Sequence, residues 1–244
     1  YAGAIVVFLF ILGLVLVKGA LKWWLGMATL LSVMLAWGKN FMPLTSLFFD
    51  LFPGYNKFRA VTMILVIAEF CMPLLAVIAL KEIFENKPSK KEIFRSLRIA
   101  LGITGGLTLL FFIAPWIAGS FISQGEREAS LPAWLTDALK KDRIEMLRTD
   151  SFRSFVFIVL AGALIYAFLK EKIKKEYAVV LFGILFIADM FPVNKRYLKN
   201  DRFVAPSAVQ RSSAPTVADS RILQDQSVYR VLNLTVSPFN DAST

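Results

Sequence analysis

The stretch LFPGYNKFRAVTMILVIAEF, Leu51–Phe70, brings most of the chemistry in this chain together. Pro53-Gly54 is a turn signal. Asn56, Lys57 and Arg59 follow it, directly before a long apolar run. That grouping suits a phosphate. A guanidinium can hold phosphate oxygens in pairs, an ammonium adds a point charge, and Asn56 adds a hydrogen-bond donor. A helix starting near Arg59 would turn its N-terminal amides toward the same anion. The plainer alternative is that Lys57 and Arg59 snorkel to ordinary lipid headgroups. Glu69 raises a second question, because it falls near the middle of the apolar run over 60–80. A carboxyl at that depth must face protein, water or a cation, or be protonated. It is either a functional group or a buried carboxyl bonded to another helix. Pro73, four residues on, would open the backbone beside it.

These residues need elements to hold them, and composition narrows the choice. Hydrophobic residues make up 57% of the 244 residues and the mean hydropathy is +0.60, well above the usual balance of a water-soluble domain. Six apolar runs predict membrane-spanning helices at about 2–17, 21–37, 60–80, 97–117, 152–169 and 177–193. The fold class expected is an all-α polytopic membrane protein. The net charge of +10 gathers in short connections such as Lys170 to Lys175 rather than in a nucleic-acid motif, so nucleic acid is not an expected partner.

Lysine and arginine in those connections predict orientation. The loops after the first, third and fifth spans fall on the cytoplasmic side. The 2–3 loop, the 4–5 loop and the C-terminal tail then face outward. Within the 4–5 loop, Leu131, Trp134, Leu135, Ala138, Leu139 and Met146 share a face. Ser130 is a candidate N-cap and Pro132 suits the first turn. An amphipathic helix over about 131–148 is therefore expected in the membrane interface, or packed on a soluble neighbour. From Asn194 the chain reads as an outer linker. The alternation over 229–236 then predicts a strand, the first of a soluble β-containing domain that continues past Thr244. The start at Tyr1 and the stop at Thr244 suggest an internal piece of a longer protein, with further sequence on both sides as its partner.

Other signals are weaker. Gly102 and Gly106 make a GxxxG pair in the fourth run, with Gly105 beside them, which predicts close helix packing. Asp189 sits toward the outer end of the sixth run, where it reads as interfacial. Asn233 and Thr235 match a glycosylation pattern of low specificity. Cys71 lies alone in an apolar run and reads as inert. The chain has no histidine, which removes His-based catalysis and His metal sites. No metal site and no cofactor are expected.

LFPGYNKFRAVTM resembles the hallmark loop of the YfhO family of bacterial membrane proteins. LRTDSFRSFVFIVLAGALIYAF and ADMFPVNKRYLKNDRFV are similar to later spans and the outer tail of that family, in its Bacteroidetes form. The resemblance extends over essentially the whole chain. It implies a GT-C-like glycosyltransferase in the bacterial inner membrane. Such a protein takes a sugar from a polyprenyl-phosphate carrier on the outer face and passes it to a cell-envelope acceptor. On that reading Lys57 and Arg59 hold the donor phosphate, with membrane lipid and the polyprenyl-linked sugar as partners. The acidic residue that acts as base in that class lies upstream of this chain; Asp50 does not match its motif, so the catalytic residue is unknown. Two other functions compete: a lipid or polymer transporter or flippase gated by Glu69, and a non-catalytic assembly protein. No convincing repeat relates the first three runs to the last three, as many transporters would show.

Overall fold

The computed structural model describes residues 2–55, 61–85, 88–129, 131–212 and 214–227. The main helices of its first unit, Tyr1–Arg196, are α1 (Ala4–Leu16), α2 (Leu21–Ala36), α3 (Met42–Leu51), α4 (Leu65–Phe84), α5 (Lys90–Ile113), α6 (Gln124–Glu128), α7 (Ala133–Leu169) and α8 (Lys175–Tyr197). No strand occurs among the described residues.

Helix α1 is the hub. A helix that is apolar all round belongs inside a bundle, and Ile5, Phe8, Leu9 and Leu12 are all completely buried. Around them pack Ala76 and Leu80 of α4, Leu97 and Ala100 of α5, and Ile158 and Ile165 of α7. Outward surfaces are also apolar: Trp23, Trp24, Val66, Phe70 and Ile187 are each more than 60% exposed. Greasy on both sides is what a bilayer requires and water would penalise. Four helices are long and apolar enough to cross a membrane: Thr62–Phe84 (α4 with its lead-in), α5, α7 and α8. A fifth span results if the bent pair Leu21–Ala36 and Gly38–Leu51 is one unit. The chain has the all-α, multi-pass architecture expected. At 13 residues, α1 is only about 20 Å long, shorter than a bilayer core of about 30 Å.

Several boundaries differ from expectation, each for a local reason. The loop expected after α2 is instead a 3₁₀ turn, Gly38–Phe41, leading into α3, with Pro43 in its first turn. Helix α4 starts at Leu65, preceded by a 3₁₀ turn over Val61–Ile64, and runs through Pro73 to Phe84. Helix α5 starts seven residues before the predicted 97. Ser89 and Glu92 form a capping box there: the Ser89 hydroxyl accepts from the Glu92 N–H at 3.2 Å, and the Ser89 N–H donates to the Glu92 carboxylate at 2.9 Å. Pro115 lies just past the end of that helix.

The amphipathic segment expected at 131–148 and the span expected at 152–169 are a single helix of 37 residues, α7, about 55 Å long. The first half is continuous with the span rather than a separate element, and the whole is longer than a hydrocarbon core of about 30 Å. Leu135 and Leu139 are partly covered, whereas Trp134 and Met146 are exposed. Its predicted cap, Ser130, lies outside the described residues. Helix α8 passes through Pro192 and ends at Tyr197, where a stop at 193 was expected. Side-chain ties on both sides of Pro192, described below, offset its cost of roughly 3 kcal/mol.

The GxxxG reading is also corrected. A Cβ added at Gly102 or Gly106 would meet nothing within 4 Å. The close approaches are at Gly13, whose added Cβ would lie 2.8 Å from Leu75 Cγ, at Gly26, 2.9 Å from Leu14 Cδ2, and at Gly162, 2.9 Å from Leu101 Cδ2. Gly105 does face α7, at an ordinary 3.8 Å from Phe155.

The second unit, Tyr197–Thr244, holds a 3₁₀ turn at Asn200–Arg202 and two short helices, α9 (Pro206–Ser212) and α10 (Val217–Ile222). A linker was expected there. Thr216 and Asp219 supply a capping box that starts α10. The strand expected at 229–236, with Asn233 and Thr235, lies outside the described residues, so no β-containing domain is supported.

Candidate functional site

Salt bridges mark the two ends of the bundle. At one end Lys18, just after α1, meets Glu92 at the start of α5 at 3.1 Å. Lys90 meets Glu171, just after α7, at 2.6 Å. The connections after α1, before α5 and after α7 therefore share one end of the bundle. Lys90 beside Glu171 holds that carboxyl below its ordinary range.

The predicted phosphate-binding residues Asn56, Lys57 and Arg59 lie outside the described residues. Their flanks are described. After α3, residues Phe52 to Tyr55 turn back: the Tyr55 N–H donates to the Phe52 carbonyl at 3.2 Å, and Gly54 sits at φ 81°, a left-handed conformation suited to glycine. Phe48 stacks on Phe52 and meets Tyr55 edge-on, with centroids 5.7 and 5.9 Å away. This packing buries the Tyr55 hydroxyl, which finds no hydrogen-bond partner among the described residues. On the other flank, Ser32 of α2 donates to the Ile64 carbonyl at 2.6 Å and pins the lead-in of α4.

Glu69 is the fifth residue of α4 and the eighth of the 23 residues of the apolar span Thr62–Phe84. It lies on an exposed side of the helix, between Val66 and Phe70. Pro73 has no N–H to offer the Glu69 carbonyl one turn back. Asp50, in the last turn of α3, is exposed.

The residue that sequence reasoning undervalued is Asp189. It is completely buried, not interfacial. Its carboxylate accepts from the Ala4 N–H at 2.7 Å and the Ile5 N–H at 3.3 Å, so it caps α1 from α8. Gly3 makes this possible. Its φ is 88°, and a Cβ there would lie 3.3 Å from the same carboxylate and 3.0 Å from Met190 Sδ. Arg153 of α7 donates to the Asp189 carbonyl at 3.0 Å, with its other terminal nitrogen 3.6 Å from the carboxylate. One turn out along α7 and two along α8, Arg196 grips Asp150 through two bonds of 2.8 and 2.6 Å. The α1 amides carry partial positive charge and Arg153 a full one, so the buried carboxylate is compensated. The cluster joins three helices. Its signal was present in the sequence, since an acid within an apolar run needs a buried partner.

A third polar cluster fixes the connection between α5 and α7. Arg143 of α7 bonds both Glu126 oxygens, at 2.9 and 2.5 Å, and donates to the Phe121 carbonyl at 2.6 Å. Phe121 has φ 58°, uncommon for a residue with a side chain, and Arg143 ties down its carbonyl. The guanidinium, helped by the Ser123 N–H, lowers the Glu126 carboxyl to about 2. Among the described residues no group of three His, Cys, Asp or Glu could hold a metal ion.

Comparison of the chain with protein-family models, with curated proteins and with solved structures gives no match.

Proposed function

We propose that the chain is the membrane-embedded portion of a GT-C-like glycosyltransferase that handles a polyprenyl-phosphate-linked sugar at the outer face of the bacterial inner membrane. The single observation that carries this reading is the run Pro53 to Arg59, which sets Asn56, Lys57 and Arg59 immediately before the lead-in of α4. Lys57 and Arg59 hold the donor phosphate and stabilise charge on the leaving group. Asn56 adds one hydrogen bond. The 2–3 loop, the 4–5 loop and the tail face outward. Support comes from the resemblance to YfhO proteins and from the multi-pass helical architecture. Glu69, near the start of α4, adds an acidic group at the same end of the helix. A flippase would use Glu69 inside a path between helices, and its exposed side of α4 favours the donor reading.

The test is native mass spectrometry of the protein purified in mild detergent, comparing the wild type with a Lys57→Ala, Arg59→Ala double variant. Co-purifying polyprenyl-phosphate lipid that is lost from a folded variant supports the assignment. Equal binding by both, or by neither, removes it, and the two cations are then headgroup anchors.

A further inference from the structure

The geometry points to α3 as a lipid-binding element: a short helix that wedges back into the headgroup layer of the membrane leaflet where α2 ends. This rests on α2, 16 residues and about 24 Å long, crossing the bilayer as a span of its own with α3 outside it, and not on the protein handling a lipid-linked sugar.

Three observations carry it. The first is direction. The segment Gly38–Leu51 turns 109° from the axis of Leu21–Ala36. With α2 along the membrane normal, a right angle would lay α3 flat on the surface. The remaining 19° or so tips it back toward the hydrocarbon. The ten residues of α3 span about 15 Å, so the far end sits about 5 Å deeper than the near end, within the depth at which interfacial helices lie.

The second is surface. None of the ten residues of α3 is buried in the protein. Leu47 is 51% exposed, Phe49 52% and Leu51 73%. In water this helix would offer an apolar face to nothing.

The third is polar accounting. Both hydroxyls on the helix are turned inward to its own backbone. Thr45 donates to the Gly38 carbonyl at 2.8 Å, and Ser46 to the Met42 carbonyl at 2.7 Å. Exposed helix positions elsewhere in the chain make the same kind of bond, as Ser220 does to the Thr216 carbonyl at 2.9 Å; on α3 it leaves both hydroxyls satisfied without water, as a helix sunk in lipid requires. Trp37 and Phe41, edge to face at 6.2 Å, sit at the bend, and Tyr55 at the far end. Amphipathic rings prefer that level of a bilayer. Along α3, Leu47 and Leu51 share one stripe and Ser46 and Asp50 the next, each pair four residues apart.

The test uses single cysteines placed at Ser46, Leu47, Asp50 and Leu51 of the whole chain, with the native thiol removed by Cys71→Ala. Each is spin-labelled in phosphatidylethanolamine–phosphatidylglycerol vesicles. Collision with oxygen, which concentrates in lipid, is compared with collision with a water-soluble nickel chelate. A fifth label at Val77, exposed well inside α4, gives the reading for deep lipid. For a helix sunk by roughly 5–10 Å, the oxygen-to-nickel ratio at Leu47 and Leu51 should exceed that at Ser46 and Asp50 by about threefold or more. Four labels that collide freely with nickel put α3 in water and overturn the inference. Four labels shielded from both reagents mean that protein covers the helix, a second copy included, and overturn it equally.

Discussion

Replacing Asp189 with alanine should loosen α1 from the bundle, and the size of the effect can be worked from the geometry. Alanine leaves the Ala4 and Ile5 amides without their acceptor, the loss of a helix cap worth about 0.5–2 kcal/mol. It also removes the carboxylate facing Arg153. Breaking a fully buried ion pair costs about 3–5 kcal/mol. At 3.6 Å, and with Arg153 still 18% exposed, roughly 1–2 kcal/mol is the reasonable share here. Together these give about 1.5–4 kcal/mol, or a drop in unfolding midpoint of roughly 3–16 °C for a chain of this size. The protein carries its own reporter. Cys71 is its one thiol, 94% buried, in a cluster with Phe10 in the middle of α1 and Val17 just past its end. Thermal unfolding in detergent with a thiol-reactive fluorophore therefore reads the release of α1 directly. Asp189→Asn should fall between wild type and alanine, because an amide oxygen still accepts from the α1 amides but cannot oppose Arg153. An alanine variant that unfolds within a degree or so of wild type would show that Asp189 does not hold α1.

Gly13→Ala should destabilise by about 1–3 kcal/mol, since its Cβ meets Leu75 Cγ at 2.8 Å and the Leu75 carbonyl at 3.1 Å; Gly102→Ala, with open space, should be neutral or slightly stabilising, and the same thiol assay separates them. The Glu126–Arg143 tie should resist acid. Its folded carboxyl is lowered from 4.5 to about 2, so its contribution is complete above pH 4.5 or so and is lost as pH falls through about 2; amide exchange over residues 121–129 should stay protected down to that window and then rise, whereas loss of protection above pH 5 would contradict the assignment. Exchanging the charges of the outer clamp, Asp150→Arg with Arg196→Asp, should recover most of the stability that either single change loses, by the logic of a double-mutant cycle.

How far the sequence could be read depended on the range of the interaction involved. The helical, multi-pass character was legible because the bilayer imposes it on every residue of a run, and averaging over about 20 positions tolerates individual exceptions. Boundaries were less legible because they turn on two or three side chains. Ser89 with Glu92 moves the start of α5 back by seven residues, and Thr216 with Asp219 starts a helix inside an apparent linker. Both follow a Ser/Thr-x-x-acid spacing that is visible in the sequence once hydropathy stops dominating the reading. The continuity of α7 was hidden by a change of hydropathy between its halves, which reports the solvent around a helix and not the helix itself.

Asp189 marks where reading along the chain stops working. Position near the end of an apolar run suggested a shallow residue, since depth was inferred from its own helix alone. Its burial is set by α1, which begins 185 residues earlier, and by Arg153 on a third helix. Gly3, whose missing Cβ admits the carboxylate, carries no sequence signal that separates it from the other glycines. The same reasoning corrects the GxxxG pair. Spacing of four places Gly102 and Gly106 on one face, but only the packing partner decides whether that face is used, and α7 passes on the side of Gly105. In a bundle whose surface and interior are equally apolar, hydrophobic periodicity cannot tell inside from outside, because lipid and protein present the same solvent to a leucine. Polar residues break that symmetry. Asp189, Arg153, Asp150 and Arg196 are costly in lipid and inexpensive only when paired, so they fix which faces of α1, α7 and α8 meet, and a search for mutually compensating charges across the spans would have found the arrangement that apolar patterning could not.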